Sequence, residues 1–448
     1  MASTENGNRR FPEPTPPQPT GRTLVLLHRG AEILQAQNRI ENTLGLRAFD
    51  AREFAGSTTA MAEALSGGAA VILPRFSVAV LPEAAGAGAR AQLSALAASD
   101  EVRQVRPEFF MFATSERAQR YHQWVRDGLV LLAEEATSVV VTSAEAPATL
   151  SLVSTSPAPF ADNDQFTWGL QAIGADKSAY TGRGIRIAVL DTGLDLEHPD
   201  FKGRAIVSQS FVGGDAMDVH GHGTHTAGTI AGPKQSSIGR RYGVAPDVEL
   251  YVGKVLSDNG SGREGDILNG MNWAIESKCA AISMSLGRGV RPGEKPDVLY
   301  EEVGAAALAE GCLIIAAAGN DSARDFGLIA PVNAPGNSTT VMAVAALDPK
   351  MRVAPFSCGS INPDGGHVDI AAPGVAVYST APRPQLSRIL QGTSMACPHV
   401  AGLAALFAQS DSSLRGQKLW DALVQKARSL GNESDLGAGL AQAPDAGA

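Results

Sequence analysis

From residue 164 onward, short apolar runs stop abruptly at polar or glycine residues, and this pattern constrains the fold more than any other feature. Ile187–Leu190 runs into Asp191, Ala280–Met284 into Ser285-Leu286-Gly287, and Cys312–Ala318 into Gly319-Asn320. Helical patterns lie between them, including Gly265–Ser277 and Pro296–Glu310. Strands that are apolar along their whole length and alternate with helices predict an α/β architecture, a buried parallel sheet flanked by helices. In such sheets a ligand is bound beyond the carboxyl ends of the strands. Asp191, Ser285 and Asn320 all fall at those ends.

The first part of the chain follows a different grammar. Residues 1–21 are rich in proline and polar residues and read as a disordered tail. Over 22–113 the signals run strand (Arg22–Leu27), helix (Ala31–Leu44), strand (Ala48–Phe54), strand (Ala70–Leu81), helix (Ala87–Ala98), strand (Val102–Ala113). That order predicts a small α+β, ferredoxin-like domain. Residues 115–136 have helical periodicity, and 137–163 is rich in Thr, Ser, Ala and Pro. The stretch 114–163 therefore reads as a helix and a linker, with proteolytic processing expected inside 137–163.

Charge and composition exclude several classes. The net charge is −9 and no block of Lys or Arg marks a nucleic-acid or anionic-membrane footprint. No stretch approaches the ~18 apolar residues of a membrane span. The first 23 residues carry no apolar run of the secretory type, so the expected location is the cytoplasm, with leaderless secretion compatible. Cys279, Cys312, Cys358 and Cys397 form neither a disulfide framework nor a metal knuckle and are expected as reduced thiols.

Three segments carry chemistry: Ala188-Val189-Leu190-Asp191-Thr192-Gly193, His220-Gly221-His222-Gly223-Thr224-His225 and Gly392-Thr393-Ser394-Met395-Ala396. A serine hydroxyl is a weak nucleophile until a base takes its proton, and the base needs an acid to fix its tautomer and stabilise its cation. Asp, His and Ser supply that set. Two rival arrangements share the same segments. Cys397 and His399 stand beside Ser394, and His220, His222 and His225, with Asp215 and Asp218, form a cluster of metal-ligating types.

Residues 164–442 resemble the subtilases, the subtilisin-like serine proteases. AVLDTG matches the aspartate motif, HGTHTAG the histidine motif and GTSMACPHVAG the serine motif, while LYVGKVLSDNGSG, MSLG and AAAGN match as well. The order Asp…His…Ser is that of subtilisin. The resemblance implies a subtilisin-like catalytic domain over 164–448 and a serine endopeptidase that acts on protein or peptide substrates through an acyl-enzyme. It assigns Asp191 to orient the imidazole, His222 as general base and then acid, and Ser394 as nucleophile. His225 is left to local packing and His220 to the preceding loop. Ser394 is expected to open a long helix, whose free N–H groups favour developing negative charge, with Cys397 a small buried residue a turn further in and His399 pointing elsewhere.

Asn320 is expected to donate to the oxyanion, together with the backbone N–H of Ser394. Gly260, Ser261 and Gly262 on one side, and Ser285, Leu286 and Gly287 on the other, are expected to flank an extended substrate as an added strand. Arg263, Glu264 and Arg288 lie next to these segments and suggest charge-dependent preferences before the scissile bond. The resemblance implies no required cofactor. Asp200 matches a calcium-ligand position of the family, but the loop over 235–241 that would supply the other oxygens carries Arg240 and Arg241, which disfavour a cation. Ferredoxin-like domains ahead of subtilases act as propeptides, so the chain's own N-terminal domain is the expected inhibitor of a self-inhibited, autoprocessing zymogen. The alternative is a catalytically silent binding or regulatory protein on the same scaffold.

Overall fold

The computed structural model describes residues 17–54, 58–83, 88–114 and 159–445. The helix expected over 115–136 and the linker up to residue 158 lie outside them, as does most of the N-terminal tail. The N-terminal unit consists of β1 (Pro19–Leu27), α1 (Ile33–Leu44), β2 (Ala48–Asp50), α2 (Thr58–Ser66), β3 (Ala70–Leu73), β4 (Val78–Leu81), α3 (Ala89–Ala97) and β5 (Val102–Ala113). Its strands lie in the order β5-β1-β4-β3-β2, antiparallel except for the parallel pair β2 and β3.

The structure corrects three sequence expectations here. The single strand expected over 70–81 is a hairpin, because Pro74 cannot donate to a ladder and Pro74–Phe76 close one turn of 3-10 helix, with Ser77 at φ 52°. The strand expected to reach Phe54 stops at Asp50, whose Oδ1 accepts from Arg52 N at 2.9 Å and starts a turn. Strand β1 begins at Pro19, inside the stretch expected as tail.

The apolar run of β1 is continuous because both faces of its sheet are covered. Side chains alternate along a strand. Val25 and Leu27 pack with Ala36, Ile40 and Leu96 beneath α1 and α3, while Leu24 and Leu26 face the other way, into the rest of the molecule.

The second unit runs α4 (Trp168–Ala172), β6 (Arg186–Asp191), β7 (Val207–Ser210), α5 (His222–Ala231), β8 (Glu249–Lys254), β9 (Ser261–Arg263), α6 (Glu264–Glu276), β10 (Ala281–Met284), β11 (Leu286–Gly287), α7 (Val298–Ala309), β12 (Leu313–Ala317), β13 (Met342–Leu347), β14 (Ile370–Pro373), β15 (Val377–Thr380), β16 (Ser387–Leu390), α8 (Thr393–Ser410) and α9 (Gln417–Lys426). Seven strands form one all-parallel sheet in the order β14-β13-β12-β10-β6-β8-β7. Helices α5 and α8 cover one face, where Ala396, Val400 and Ala404 pack on Ile187, Ile315 and Val344. Helices α6 and α7 cover the other. The outer sides of these two helices receive the N-terminal sheet, so that Leu24, Leu26, Leu73, Val78 and Val80 share one apolar cluster with Ile267, Met271, Tyr300 and Val303.

This topology sets the position of the site. After β6 the chain builds β7 and β8 on one side, then crosses to build β10, β12, β13 and β14 on the other. The loops leaving β6 and β10 diverge, and the crevice between them at the carboxyl ends is where such sheets bind ligands.

Candidate active site

Asp191 is the last residue of β6 and has no exposed surface. Its Oδ1 accepts from Thr192 N at 2.7 Å and lies 2.8 Å from His222 Nδ1, and its Oδ2 accepts from Thr226 Oγ1 at 3.1 Å. An ionised carboxylate only accepts, so Nδ1 carries the proton and Nε2 of His222 keeps a free lone pair. Nε2 is buried with no hydrogen-bond partner among the described residues. His222 is the first residue of α5, and the close approach of that helix to β6 depends on glycine. A Cβ on Gly223 would lie 2.2 Å from Gly193 O, and one on Gly193, at φ 105°, would lie 2.3 Å from Ala216 O.

Ser394 lies in the first turn of α8 and Asn320 just beyond β12. Asn320 Oδ1 accepts from Thr393 N at 2.8 Å and Thr393 Oγ1 at 3.0 Å, which locks the amide and aims Nδ2 across the site. There Nδ2 donates to Thr114 O at 3.0 Å, and the Thr114 hydroxyl pairs with Ser394 Oγ. Thr114 follows directly on β5, so the last residue described in the N-terminal unit lies against the serine.

Strand β5 reaches that point as the middle strand between β9 and β11. Phe110, Met111 and Phe112 oppose Arg263, Gly262 and Ser261 in antiparallel register, and Phe112 and Ala113 oppose Gly287 and Leu286. Ala113 N donates to Gly260 O at 2.8 Å and Thr114 N to Ser285 O at 3.3 Å. The two glycine-containing stretches singled out in the sequence thus hold an extended chain between them. Main-chain hydrogen bonds of this kind bind any sequence, and selectivity falls to the side chains. Met111 is fully buried, in the cluster with Leu256, Ile267 and Leu286, a burial that stabilises by about 1.5–3 kcal/mol.

The rival arrangements do not assemble. Cys397 is buried, its Sγ donates to Ile315 O at 3.3 Å, and burial pushes the thiol up to about 11, the wrong direction for a nucleophile. His399 Nδ1 lies 2.7 Å from Met395 O, and burial lowers its pKa to about 4. His225 turns away from His222, with Nε2 3.1 Å from Val377 O, and burial lowers its pKa to about 3. His220 packs edge-on to His222 with ring centroids 6.2 Å apart. Asp215 accepts from Met217 N at 3.1 Å. Among the described residues no three His, Cys, Asp or Glu side chains converge as a metal site.

Asp200 likewise does not fit a calcium ion. Its carboxylate accepts from Tyr242 OH at 2.6 Å and Ser236 Oγ at 2.8 Å on Oδ2 and from Ser237 N at 2.7 Å on Oδ1, so protein donors compete with a cation for most of its lone pairs. Arg240 stands on the same loop, 3.4 Å from Asp162.

Three residues important to this geometry carried no sequence signal strong enough to single them out for it. Thr114 was assigned to the start of the helix and linker. Asp218, considered only as part of the histidine cluster, is a buried brace. Its Oδ1 accepts from Thr192 Oγ1 at 2.9 Å and Gly221 N at 2.7 Å, and its Oδ2 from Thr224 N and Thr224 Oγ1, both at 2.7 Å. Thr192 completes the brace by accepting from Gly223 N at 2.8 Å. Asp218 stands ahead of the cap position, which Gly221 holds, so the usual helix-start signal does not pick it out.

The model of the Subtilase family matches residues 182–439. Subtilisin Savinase of Lederbergia lenta is 40% identical over 281 residues, covering 62% of this chain and 96% of that protein. Subtilisin E of Bacillus subtilis (strain 168) is 37% identical over 274 residues, covering 60% of this chain and 68% of that protein. The solved structure of Sphericase superposes with a TM-score of 0.54 at 33% identity, covering 62% of this chain and 98% of that one. These relatives correct the expected cytoplasmic location, because subtilisins of this kind are secreted, extracellular proteins. Among the described residues no helix is long and apolar enough to cross a membrane. With the motifs, the all-parallel sheet and these matches in agreement, the chain belongs to the subtilase family and is a subtilisin-like serine endopeptidase.

Proposed function

We propose that Asp191, His222 and Ser394 work as a catalytic triad with Asn320 in the oxyanion hole, and that the chain is a self-inhibited zymogen whose first substrate is its own Thr114–Ser115 bond. The observation that carries this reading is the position of Thr114, with its carbonyl on Asn320 Nδ2 and its hydroxyl on Ser394 Oγ, at the end of a strand held between β9 and β11. On this reading the cut falls at the end of β5 rather than in the linker over 137–163, the part up to Thr114 is the inhibitory unit, and the peptidase lies on the other side of the cut.

The chemistry follows from the geometry. The Ser394 hydroxyl turns from Thr114 Oγ1 towards the unpartnered Nε2 of His222, which takes its proton as Oγ attacks the Thr114 carbonyl carbon. Asp191 holds the imidazole by Nδ1 and stabilises the cation that forms. The carbonyl oxygen becomes an oxyanion on Asn320 Nδ2, a donor already fixed by Thr393 and therefore needing no reorganisation. Collapse expels the amine of Ser115, which receives the proton from His222, and leaves Thr114 esterified to Ser394. A water activated by His222 then releases the acid. The segment now ending at Thr114 still has its ladder bonds and its shared core, so it stays in the cleft as an inhibitor until it is displaced or degraded.

A serine-directed aryl phosphonate tests the triad on the matured protein. One adduct on Ser394 with loss of peptide cleavage is expected, and a chelator should leave cleavage unchanged. A protein that takes no adduct and cleaves no peptide is a silent scaffold, and loss of activity to the chelator alone would point to metal chemistry.

A further inference from the structure

Upstream of the proposed bond, the peptidase grips two side chains of the N-terminal unit far from Ser394. Counting back from Thr114 as the first residue before the cut, Phe109 is the sixth and Arg106 the ninth. The Arg106 guanidinium donates to Glu264 Oε2 at 2.8 Å and Oε1 at 3.1 Å, and meets Asp297 Oδ2 at 2.9 Å. Glu264 is fully buried; the same carboxylate also accepts from Phe109 N at 2.9 Å and from Tyr300 OH at 3.0 Å. Two guanidinium groups approach the ring of Phe109, with its centroid 5.7 Å from Arg106 and 5.5 Å from Arg288. Arg288 is 7% exposed and is held by Glu294 Oε1 at 2.9 Å. The Nε atoms of Arg106 and Arg288 are buried without a hydrogen-bond partner among the described residues.

We propose that Glu264, Asp297, Tyr300 and Arg288 form a distal recognition site of the peptidase that reads an arginine nine residues and an aromatic ring six residues before the bond to be cut. This rests on the reading of β5 as a bound substrate strand and deepens it by naming a substrate class: extended polypeptides carrying Arg-x-x-aromatic at that distance. A bidentate guanidinium–carboxylate pair is selective for arginine over lysine, and the stacked cation is selective for an aromatic ring over an aliphatic side chain. Once the N-terminal unit leaves, Glu264 and Asp297 lose the arginine that pairs with them here. Freed of the N-terminal unit, the two carboxylates face the cleft and can pair again with an arginine presented at the same place. The charge preference expected from Glu264 and Arg288 thus takes a definite form. The two face a ring and a cation of the substrate's distal part rather than positions close to the cut.

The test uses the protein matured from the full chain and fluorogenic peptides copied from residues 103–118, with a shorter one copied from 111–118. Replacing the long peptide's arginine at the position of Arg106 with glutamine is expected to lower kcat/KM on the order of 10- to 100-fold. Replacing its sixth-position phenylalanine with alanine should lower it about 3- to 10-fold. Most of the arginine effect should disappear in Glu264→Gln, and most of the phenylalanine effect in Arg288→Met, the two residues acting as coupled pairs with their ligands. Equal cleavage of all the long peptides by the wild-type protein, with the short peptide also cut, would overturn the distal site and leave the protease reading standing. If neither long nor short peptides are cut, the protease reading falls, and the distal site with it.

Discussion

Asn320 shows how much of the site's readiness is built by one residue. Its Oδ1 is spent on Thr393, which fixes the amide plane, and in that orientation Nδ2 donates to Thr114 O. Asn320→Ala should lower kcat by about 10²–10³ with little change in KM, a magnitude borrowed from subtilisin itself, and steady-state kinetics on a peptide checks it. Away from the site, burial pushes the Asp369 carboxyl up to about 7, against the hydrogen bond it accepts from Ala343 N at 2.7 Å. A folded-state pKa above the unfolded value of about 4 means that folding favours the protonated acid. The stability this gives is complete below about pH 4 and is lost as pH rises through about 7. Asp369→Asn should therefore match the wild type in thermal melts near pH 4 and melt higher at pH 8. A constant difference across that range would contradict the assignment. The three residues proposed as the triad stand out in the sequence because each sits in a short glycine-bearing motif at the end of a strand or start of a helix. Thr114 does not, because its contact with Ser394 spans 280 residues and nothing local to a threonine announces it.

At the scale of elements, β6, β10 and β12 of the parallel sheet were readable from their apolar runs, and α6 and α7 to within a residue or two, while β7, β8, β13 and β14 were not singled out. Strand β5 was readable as a strand, but its neighbours were not. Periodicity reports which faces are buried and says nothing about which edge a strand joins, and β5 joins β1 on one side of its length and the cleft strands at its end. The hairpin at Pro74 was missed because apolar residues on both sides made one continuous run. The loop at Asp200 supplies protein donors to a carboxylate. Tyr242 OH, Ser236 Oγ and Ser237 N satisfy a carboxylate that would otherwise attract a cation. A chelator should accordingly leave the melting temperature unchanged, since removal of a tightly bound ion would lower it. Tyr242→Phe, which removes a hydrogen bond to a charged group, should destabilise by about 1.5–3 kcal/mol in denaturant titration. A large drop in melting temperature on chelation would show that a site of this kind is occupied after all.

Over the whole molecule, the N-terminal sheet has one face packed on its own helices and the other on α6 and α7, so the two units share a core rather than merely touching. Arg29, Arg75 and Arg103 add pairs to Glu302, Glu276 and Glu310 around the rim. Exposed pairs of this type contribute about 0–1 kcal/mol each and buried ones lose much of their gain to desolvation, so the shared apolar face holds the units together. This arrangement keeps β5 in the cleft with Thr114 against Ser394, and the central claim is that the serine cuts the chain there. The most direct test is the intact mass and new N-terminal sequence of the purified wild type beside Ser394→Ala. The account predicts a wild type cut between Thr114 and Ser115 and a variant that remains whole. Identical cutting of both proteins, or a first cut elsewhere in the chain, would contradict it.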